Sequence, residues 1–155
     1  MQYLSKNSLE TQKIASDITQ KMKGKGVIFL HGKLGSGKTT FAKGCAKVLG
    51  IEERTVKSPS FTYIRQYTSK NGKRMIHCDF YRLDKKHEFA EQTWQELKEE
   101  IGENALFIVE WPEKLTTQDT NQEEINVKIE MKNAKSPEGE NERIITITFP
   151  KDFQK

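Results

Sequence analysis

The 155-residue chain has little of what marks a secreted, membrane-spanning or disulfide-stabilised protein. Its two cysteines, Cys45 and Cys78, lie far apart without a C-x-x-C pair, which favours a reduced cytoplasmic protein over a disulfide scaffold or a metal site. The apolar runs are only a few residues long and cannot cross a bilayer. The first residues do not place an apolar segment after a basic one, so no secretory signal is expected.

Positive charge is in slight excess but is not concentrated. The formal net charge is +4, and small basic groups occur at 21–25, 70–74 and 85–86. Neither an arginine-rich tract nor a row of stacking aromatic residues accompanies them, so they are interpreted as solvated surface. A partner that contains RNA is compatible with this charge but not required by it. Neither DNA nor a membrane is expected as a partner.

The most informative stretch is Gly32–Thr39, which fits G-x-x-x-x-G-K-[ST] without a mismatch. An apolar run, Val27–Leu30, precedes it, and a segment of helical spacing, Thr40–Leu49, follows it. Strand, glycine-rich loop and helix are the context that a phosphate-binding loop requires. The sequence therefore predicts a nucleotide-binding protein.

The residues of this loop have distinct predicted roles. Its glycines allow the backbone to wrap a phosphate, so that successive N–H groups point inward, and the helix that follows adds its positive end. Lys38 is expected to reach the β- and γ-phosphates, and the Thr39 hydroxyl is expected to ligate Mg²⁺. The predicted nucleotide contacts within the loop are Gly35, Ser36, Gly37, Lys38, Thr39 and Thr40.

A second apolar run, Ala105–Glu110, ends in a carboxylate. Such a strand supplies the other half of a P-loop site, where the carboxylate holds Mg²⁺ or its water. Glu110 is therefore the second predicted metal residue. Trp111 follows directly, and Pro112 ends the strand.

The remaining pattern predicts one α/β domain over residues 1–155, with a P-loop NTPase-like mixed sheet. Residues 1–6 favour a short strand or an arm, and Asn7 or Ser8 favours the N-cap of a helix over 8–23. A third helix is expected over 85–103. Its expected inward residues are Phe89, Trp94, Leu97 and Ile101, and the acidic residues expected on a solvated or partner-binding face are Glu96, Glu99, Glu100 and Glu103.

Two hairpins are expected beside the parallel centre. One joins 63–67 to 75–81 through Asn71-Gly72, and the other joins 125–131 to 143–149 through Ser136–Gly139. No crossover helix is expected between the two strands of the second hairpin, so these strands are predicted to be antiparallel additions to the sheet. The first hairpin is predicted to be an antiparallel addition as well.

Three features have two interpretations each. Thr11 shares the inward face of the first helix, where it either bonds its own helix backbone or contacts a base. The hydroxyl-rich segment 58–62 is either an ordinary polar loop or a γ-phosphate sensor. His77 and Asp79 share what the alternation indicates is the exposed face of a strand, so they are either a surface pair or place a carboxylate beside Mg²⁺ or water.

Four ordered blocks together resemble the TsaE family, the small bacterial ATPase of tRNA threonylcarbamoyladenosine synthesis. The blocks are GKLGSGKTTF at 32–41, KSPSFT at 57–62, HCDFYRL at 77–83 and VEWPE at 109–113. The resemblance covers about residues 11–113, and other P-loop families lack this combination in this order.

The resemblance implies a bacterial cytoplasmic protein that binds ATP and Mg²⁺ and acts with the TsaB–TsaD pair. It further implies that TsaD transfers the threonylcarbamoyl group, that tRNA is reached indirectly through the complex, and that the ATPase supports turnover. Carried onto this chain, Lys38, Asp79 and Glu110 are the implied catalytic residues, with Thr39 and Glu110 at Mg²⁺. The other implied nucleotide contacts are Thr11 near the adenine, Ser58 and Thr62 in the sensing segment, and Trp111 at the edge of the site.

The chain departs from the family pattern at a few positions. Lys33 stands where an acidic residue is common, Ser60 where Thr is common and Cys78 where an aromatic residue is usual. The segment 89–97 lacks a glycine often found there. These changes leave the nucleotide site intact, and the change at Lys33 and the altered segment 89–97 are expected to bear on partner contacts or on the hydrolysis rate.

Other nucleotide-binding classes fit less well. A GTPase needs N/T-K-x-D and D-x-x-G, and neither motif occurs. A small-molecule kinase would use Asp79 and Arg82 to hold an acceptor, but the connection 114–124 lacks the arginine of a closing lid. A module that only binds ATP is a third alternative. The complete Mg²⁺ chemistry favours an ATPase that is weak alone and stimulated by its partners.

Overall fold

The structure is a computed structural model that describes residues 1–83, 87–99, 104–115, 124–135, 141–151 and 153. Its strands are β1 Gln2–Ser5, β2 Gly26–His31, β3 Ile64–Thr68, β4 Arg74–Asp79, β5 Ala105–Glu110, β6 Glu124–Lys135 and β7 Asn141–Thr148. Its α-helices are α1 Ser8–Lys21, α2 Lys38–Leu49 and α3 His87–Glu99, and short 3₁₀ turns span Glu53–Thr55 and Pro112–Lys114. These strands form one sheet in the order β1-β7-β6-β2-β5-β4-β3.

The sheet is mixed and has a parallel centre, as predicted. β2 pairs in parallel with β5 and β6, and β4 pairs in parallel with β5. The predicted hairpin is confirmed, because β3 and β4 are antiparallel on either side of the Asn71-Gly72 turn. The described part of the chain holds no helix that is long and apolar enough to cross a membrane.

Both faces of the central strands are buried, which explains why β2 and β5 are apolar at successive positions. Ile28 and Leu30 of β2 pack with α1 and α2, whereas Val27 and Phe29 pack on the side of α3, where Trp94 is fully buried. The alternation of strand side chains thus divides the core into two layers, one on each face of the sheet.

Local signals place the first two helices. The Asn7 side chain accepts a hydrogen bond from the Glu10 N–H at 2.9 Å, so Asn7 is the N-cap of α1. The helix ends at Lys21, two residues before the predicted end. α2 begins directly after Gly37 and ends at Leu49, and Gly50 forms its C-terminal cap in the left-handed conformation (φ 75°).

Two expectations for the later part of the chain are wrong. Phe89 of α3 is 62% exposed instead of buried, and its ring lies in an edge arrangement with that of Tyr63, with the centroids 6.3 Å apart. β6 is antiparallel to β7 but parallel to β2, so the second hairpin is not a purely antiparallel addition. The alternation within β6 does not specify which strand it pairs with, and its parallel pairing with β2 is decided by contacts between segments that lie far apart in the sequence.

The predicted turn Ser136–Gly139, the ends of the predicted 85–103 helix, and Ile101, Glu100 and Glu103 within it lie outside the described residues. Glu96 and Glu99 are exposed on α3, as expected of a solvated face.

Candidate functional site

The phosphate loop and the predicted carboxylates meet at one edge of the sheet. In the parallel register, Glu110 of β5 lies opposite Leu30 of β2 on one side and Asp79 of β4 on the other. The loop follows β2 directly. Because parallel strands end at the same edge, the sequence-distant acids are brought beside the loop, where ligands bind in open α/β sheets.

A cleft of about 340 Å³ opens at this edge. Its lining includes most of the predicted site and some residues that were not predicted: Leu34, Gly35, Gly37, Lys38, Thr39, Thr40, Ser58, Ser60, Asp79, Glu110, Trp111 and Arg143. Of the other predicted contacts, Ser36 is buried within the loop, and Thr11 and Thr62 are absent from this lining.

The loop has the backbone shape of an anion site. Gly35 and Gly37 have φ values of 77° and 111°, a region in which glycine carries no steric cost. Gly37 immediately precedes the first turn of α2, whose free N–H groups face the loop end of the helix. The buried Ser36 hydroxyl has no hydrogen-bond partner within the described residues. Backbone amides, a helix N-terminus and a free buried hydroxyl suit a polyphosphate.

Lys38 is held against the loop by its own backbone. Its ammonium donates to the carbonyls of Gly32 at 2.7 Å and Lys33 at 3.1 Å, and it lies 4.6 Å from the centre of the Trp111 ring. Burial lowers the pKa of Lys38 below its ordinary value, while the negative charges of Glu110, Asp79 and Glu113 oppose that shift. A phosphate would give this buried cation a charged acceptor in direct contact, in place of the two neutral carbonyls.

The two carboxylates are buried and oriented by hydrogen bonds. Glu110 is 3% exposed, and its Oε1 lies 2.8 Å from Nε2 of His77. Asp79, also 3% exposed, accepts hydrogen bonds from the Tyr81 N–H at 2.9 Å and from the Ser58 hydroxyl at 3.3 Å. These bonds fix the direction of each acid at the cleft.

The prediction that His77 and Asp79 occupy an exposed strand face is wrong. His77 is fully buried, because β4 lies between β3 and β5 and this face is covered. Alternation along the strand correctly assigns the two residues to one face but does not say whether that face is covered. The Nδ1 atom of His77 has no hydrogen-bond partner in the described part of the chain.

The hydroxyl-rich segment divides between the cleft and the surface. The Ser58 and Ser60 hydroxyls are 2.6 Å apart, and Ser58 links this pair to Asp79. Thr62 is exposed, and its hydroxyl donates to the Pro59 carbonyl at 3.5 Å. The geometry thus places the Ser58–Ser60 part of the predicted sensor beside the acid.

Thr11 is fully buried at the start of α1. Its hydroxyl pairs with the Ser5 hydroxyl at 2.8 Å and approaches the Asn7 carbonyl at 3.3 Å. These contacts match the interpretation of a threonine that bonds its own helix backbone. An adenine contact by Thr11 stays a prediction.

Trp111 has an unusual backbone. Its φ of 58° lies in the left-handed region that bulky residues rarely occupy, and strain of this kind concentrates at functional sites. The ring packs against Tyr81 with centroids 4.9 Å apart and forms a wall next to Lys38. This arrangement places an aromatic surface at the edge of the cleft.

The oxygen donors at the cleft suit Mg²⁺, which takes only part of its ligands from the protein, better than a metal ion that is ligated by protein side chains alone. Among the described residues, no group of three or more His, Cys, Asp or Glu side chains converges to hold an ion. The cleft does offer the Thr39 hydroxyl and the Glu110 and Asp79 carboxylates. Mg²⁺ is commonly bound through one or two such oxygens while phosphates and water complete its coordination.

Sequence reasoning missed His77 as the partner of Glu110, and it missed Arg143 altogether. The H-x-D spacing was a signal for His77, since it places the histidine on the same face as the acid. Arg143 has no such local signal, because only the register of β7 brings it to the loop.

The fold and the loop define a P-loop NTPase-like α/β protein. The family model described as "Threonylcarbamoyl adenosine biosynthesis protein TsaE" matches residues 5–143. The chain therefore belongs to the TsaE family.

Individual relatives agree with the family match. The chain is 42% identical to the tRNA threonylcarbamoyladenosine biosynthesis protein TsaE of Aquifex aeolicus over 68% of this chain and 71% of the relative. It is 35% identical to TsaE of Bacillus subtilis over 92% of this chain and 81% of the relative. The crystal structure of YdiB from Bacillus subtilis superposes with a TM-score of 0.62 at 27% identity, covering 99% of this chain and 88% of the other.

Proposed function

We propose that this protein binds ATP with Mg²⁺ at the cleft, hydrolyses it slowly, and supports threonylcarbamoylation of the adenosine next to the tRNA anticodon together with TsaB and TsaD. The observation that carries the nucleotide part is the convergence of Lys38, Thr39, Asp79 and Glu110 at one edge of the sheet. Family membership supports the role in threonylcarbamoyladenosine biosynthesis. The bacterial cytoplasm is the proposed location.

The residues would divide the work as follows. Lys38 would exchange its two loop carbonyls for phosphate oxygens, and the loop amides would hold the same group. Thr39 and Glu110 would hold Mg²⁺, which neutralises phosphate charge when bound. Ser58 and Asp79 would orient water at the γ-phosphate, because the hydroxyl and the carboxylate already contact each other.

Within the part of the chain that the structure describes, the contacts do not favour the kinase alternative. Arg82, a predicted acceptor-binding residue of such a kinase, stacks its guanidinium 4.3 Å from the centre of the exposed Phe61 ring and does not line the cleft. Asp79 remains available to the nucleotide site instead.

The experiment is to measure ATP affinity and phosphate release with and without Mg²⁺ for the natural chain, Lys38→Ala and Glu110→Gln. We expect Lys38→Ala to lose binding by about 100-fold or more, because the amides alone cannot balance the phosphate charge. Glu110→Gln should bind ATP but lose Mg²⁺-dependent hydrolysis by about 100-fold. ATP hydrolysis that is undiminished in both variants would contradict the site.

A further inference from the structure

Arg143 connects the C-terminal strand β7 to the phosphate loop. Its Nε donates a 2.8 Å hydrogen bond to the carbonyl of Ser36, a residue 107 positions earlier. The same side chain lines the cleft together with Lys38 and Thr39. The chain therefore brings a second cation to the loop from an element that carries none of the phosphate-binding motif.

The bond to Ser36 constrains an amide of the loop. In a trans peptide the C=O and the next N–H point in opposite directions, so a carbonyl held by Arg143 fixes the direction of the Gly37 N–H. The loop and the guanidinium are also in close approach. A Cβ added to Gly37 would lie 3.0 Å from Nε of Arg143, so the glycine leaves room for the arginine.

The guanidinium retains capacity for a ligand. It has five N–H groups, and in the described residues two of them are bonded, to Ser36 and to the Asn141 carbonyl at 3.0 Å. Both acceptors are neutral, so the positive charge is not paired with a carboxylate there. Arg143 is half-buried, so part of its guanidinium stays accessible to water or to a ligand.

We propose that Arg143 is a second cationic residue of the phosphate site, which sets the Ser36–Gly37 peptide and attracts the polyphosphate of the nucleotide. This inference rests on the proposed nucleotide function and makes it more specific. It states that Arg143, which lies outside the loop motif, contributes part of the affinity for the phosphates of the nucleotide. A residue that only fastens β7 to the loop is the competing explanation.

The experiment compares Arg143→Met and Arg143→Lys with Arg54→Met, whose arginine is exposed and pairs with Glu52. ATP and ADP affinities are measured by calorimetry at several salt concentrations, and thermal unfolding checks the fold. We expect Arg143→Met to weaken ATP binding about 10- to 100-fold and to make it less dependent on salt, since a charge that faced phosphate is gone. Arg143→Lys should recover part of the affinity and the salt dependence. Arg54→Met should change neither.

Two results would overturn the inference. One is ATP affinity and salt dependence of Arg143→Met equal to those of the natural chain. The other is an equal loss in Arg143→Lys and Arg143→Met with unchanged salt dependence, which would show a fastening role alone. If Arg143→Met does not fold, Arg143→Gln against Arg143→Lys makes the same comparison. A natural chain that binds no ATP would overturn the proposed function as well, whereas ATP binding unaffected at Arg143 would overturn this inference alone.

Discussion

The buried ammonium of Lys38 is expected to lower the stability of the protein when no anion is bound. The residue is 5% exposed, and burial lowers the pKa of its ammonium despite three nearby carboxylates. The hydrogen bonds to Gly32 and Lys33 are to neutral carbonyls, which compensate for lost hydration only in part. The residue is therefore better suited to the phosphate-bound protein than to the free one.

Because the buried charge is costly in the free protein but useful for phosphate binding, Lys38→Met should lower ATP affinity without lowering the free energy of unfolding. Methionine keeps the apolar stem but removes the buried charge, so the free energy of unfolding should stay within about 1 kcal/mol or increase. ATP affinity should fall by about 100-fold or more. Chemical denaturation and calorimetry measure the two quantities, with the exposed Lys13→Met as control. A large loss of stability with retained ATP binding would contradict the assignment.

The cysteines give a second prediction at this scale. Burial raises the pKa of Cys45 to about 12, and burial together with the charge of Asp79 raises the pKa of Cys78. Both thiols are thus protonated and inaccessible near neutral pH, where an ordinary thiol is partly reactive. A disulfide-exchange reagent at about pH 8 should label the native protein at least about 100-fold more slowly than the unfolded chain. Rapid labelling of either cysteine without unfolding would contradict this.

At the scale of elements, α2 carries the phosphate loop and is held in place by α1. The two helices are in close contact at Gly44, where an added Cβ would clash with the Gln12 carbonyl oxygen and would lie 2.8 Å from Cβ of Ala15. The Ser16 hydroxyl also donates to the Gly44 carbonyl at 2.9 Å. The position of the loop thus depends on a contact that admits no side chain.

The stability of Gly44→Ala distinguishes the effect of the close α1–α2 contact from the effect of helix propensity, because the two effects have opposite signs. In an exposed helix the change would stabilise by about 1 kcal/mol. Here the clash with backbone should destabilise by about 1–3 kcal/mol, which corresponds to a melting temperature lower by roughly 2–10 °C. The neighbouring Lys43→Ala should stay within about 0.5 kcal/mol. A higher melting temperature for Gly44→Ala would show that the helices do not pack as described.

At the scale of the whole molecule, local patterns predicted the elements that carry the chemistry. The loop, the strand that ends at Glu110, and the Asn71-Gly72 hairpin each have a signal within about ten residues. The parallel centre followed because strands apolar at every position must be covered on both faces.

What could not be predicted depends on pairing over long distances. The sequence pattern of β6 shows its alternation but does not show that β2 is its parallel partner, so the predicted direction of β6 relative to the central strands was wrong. Arg143 reaches Ser36 only through the register of β7, which a local motif does not contain. Alternation correctly placed His77 on the same face of β4 as Asp79. The burial of that face could not be predicted, because the residues that cover it come from distant parts of the sequence.

The central claim is that this site hydrolyses ATP in support of another protein's reaction. The most direct measurement is phosphate release by the natural chain alone, then with TsaB–TsaD and tRNA added, with threonylcarbamoyladenosine formation followed in the same samples. The account predicts slow release alone, faster release with the pair, and repeated rounds of modification that Lys38→Ala does not support. No stimulation by TsaB–TsaD, together with phosphate transfer to a small metabolite, would contradict it.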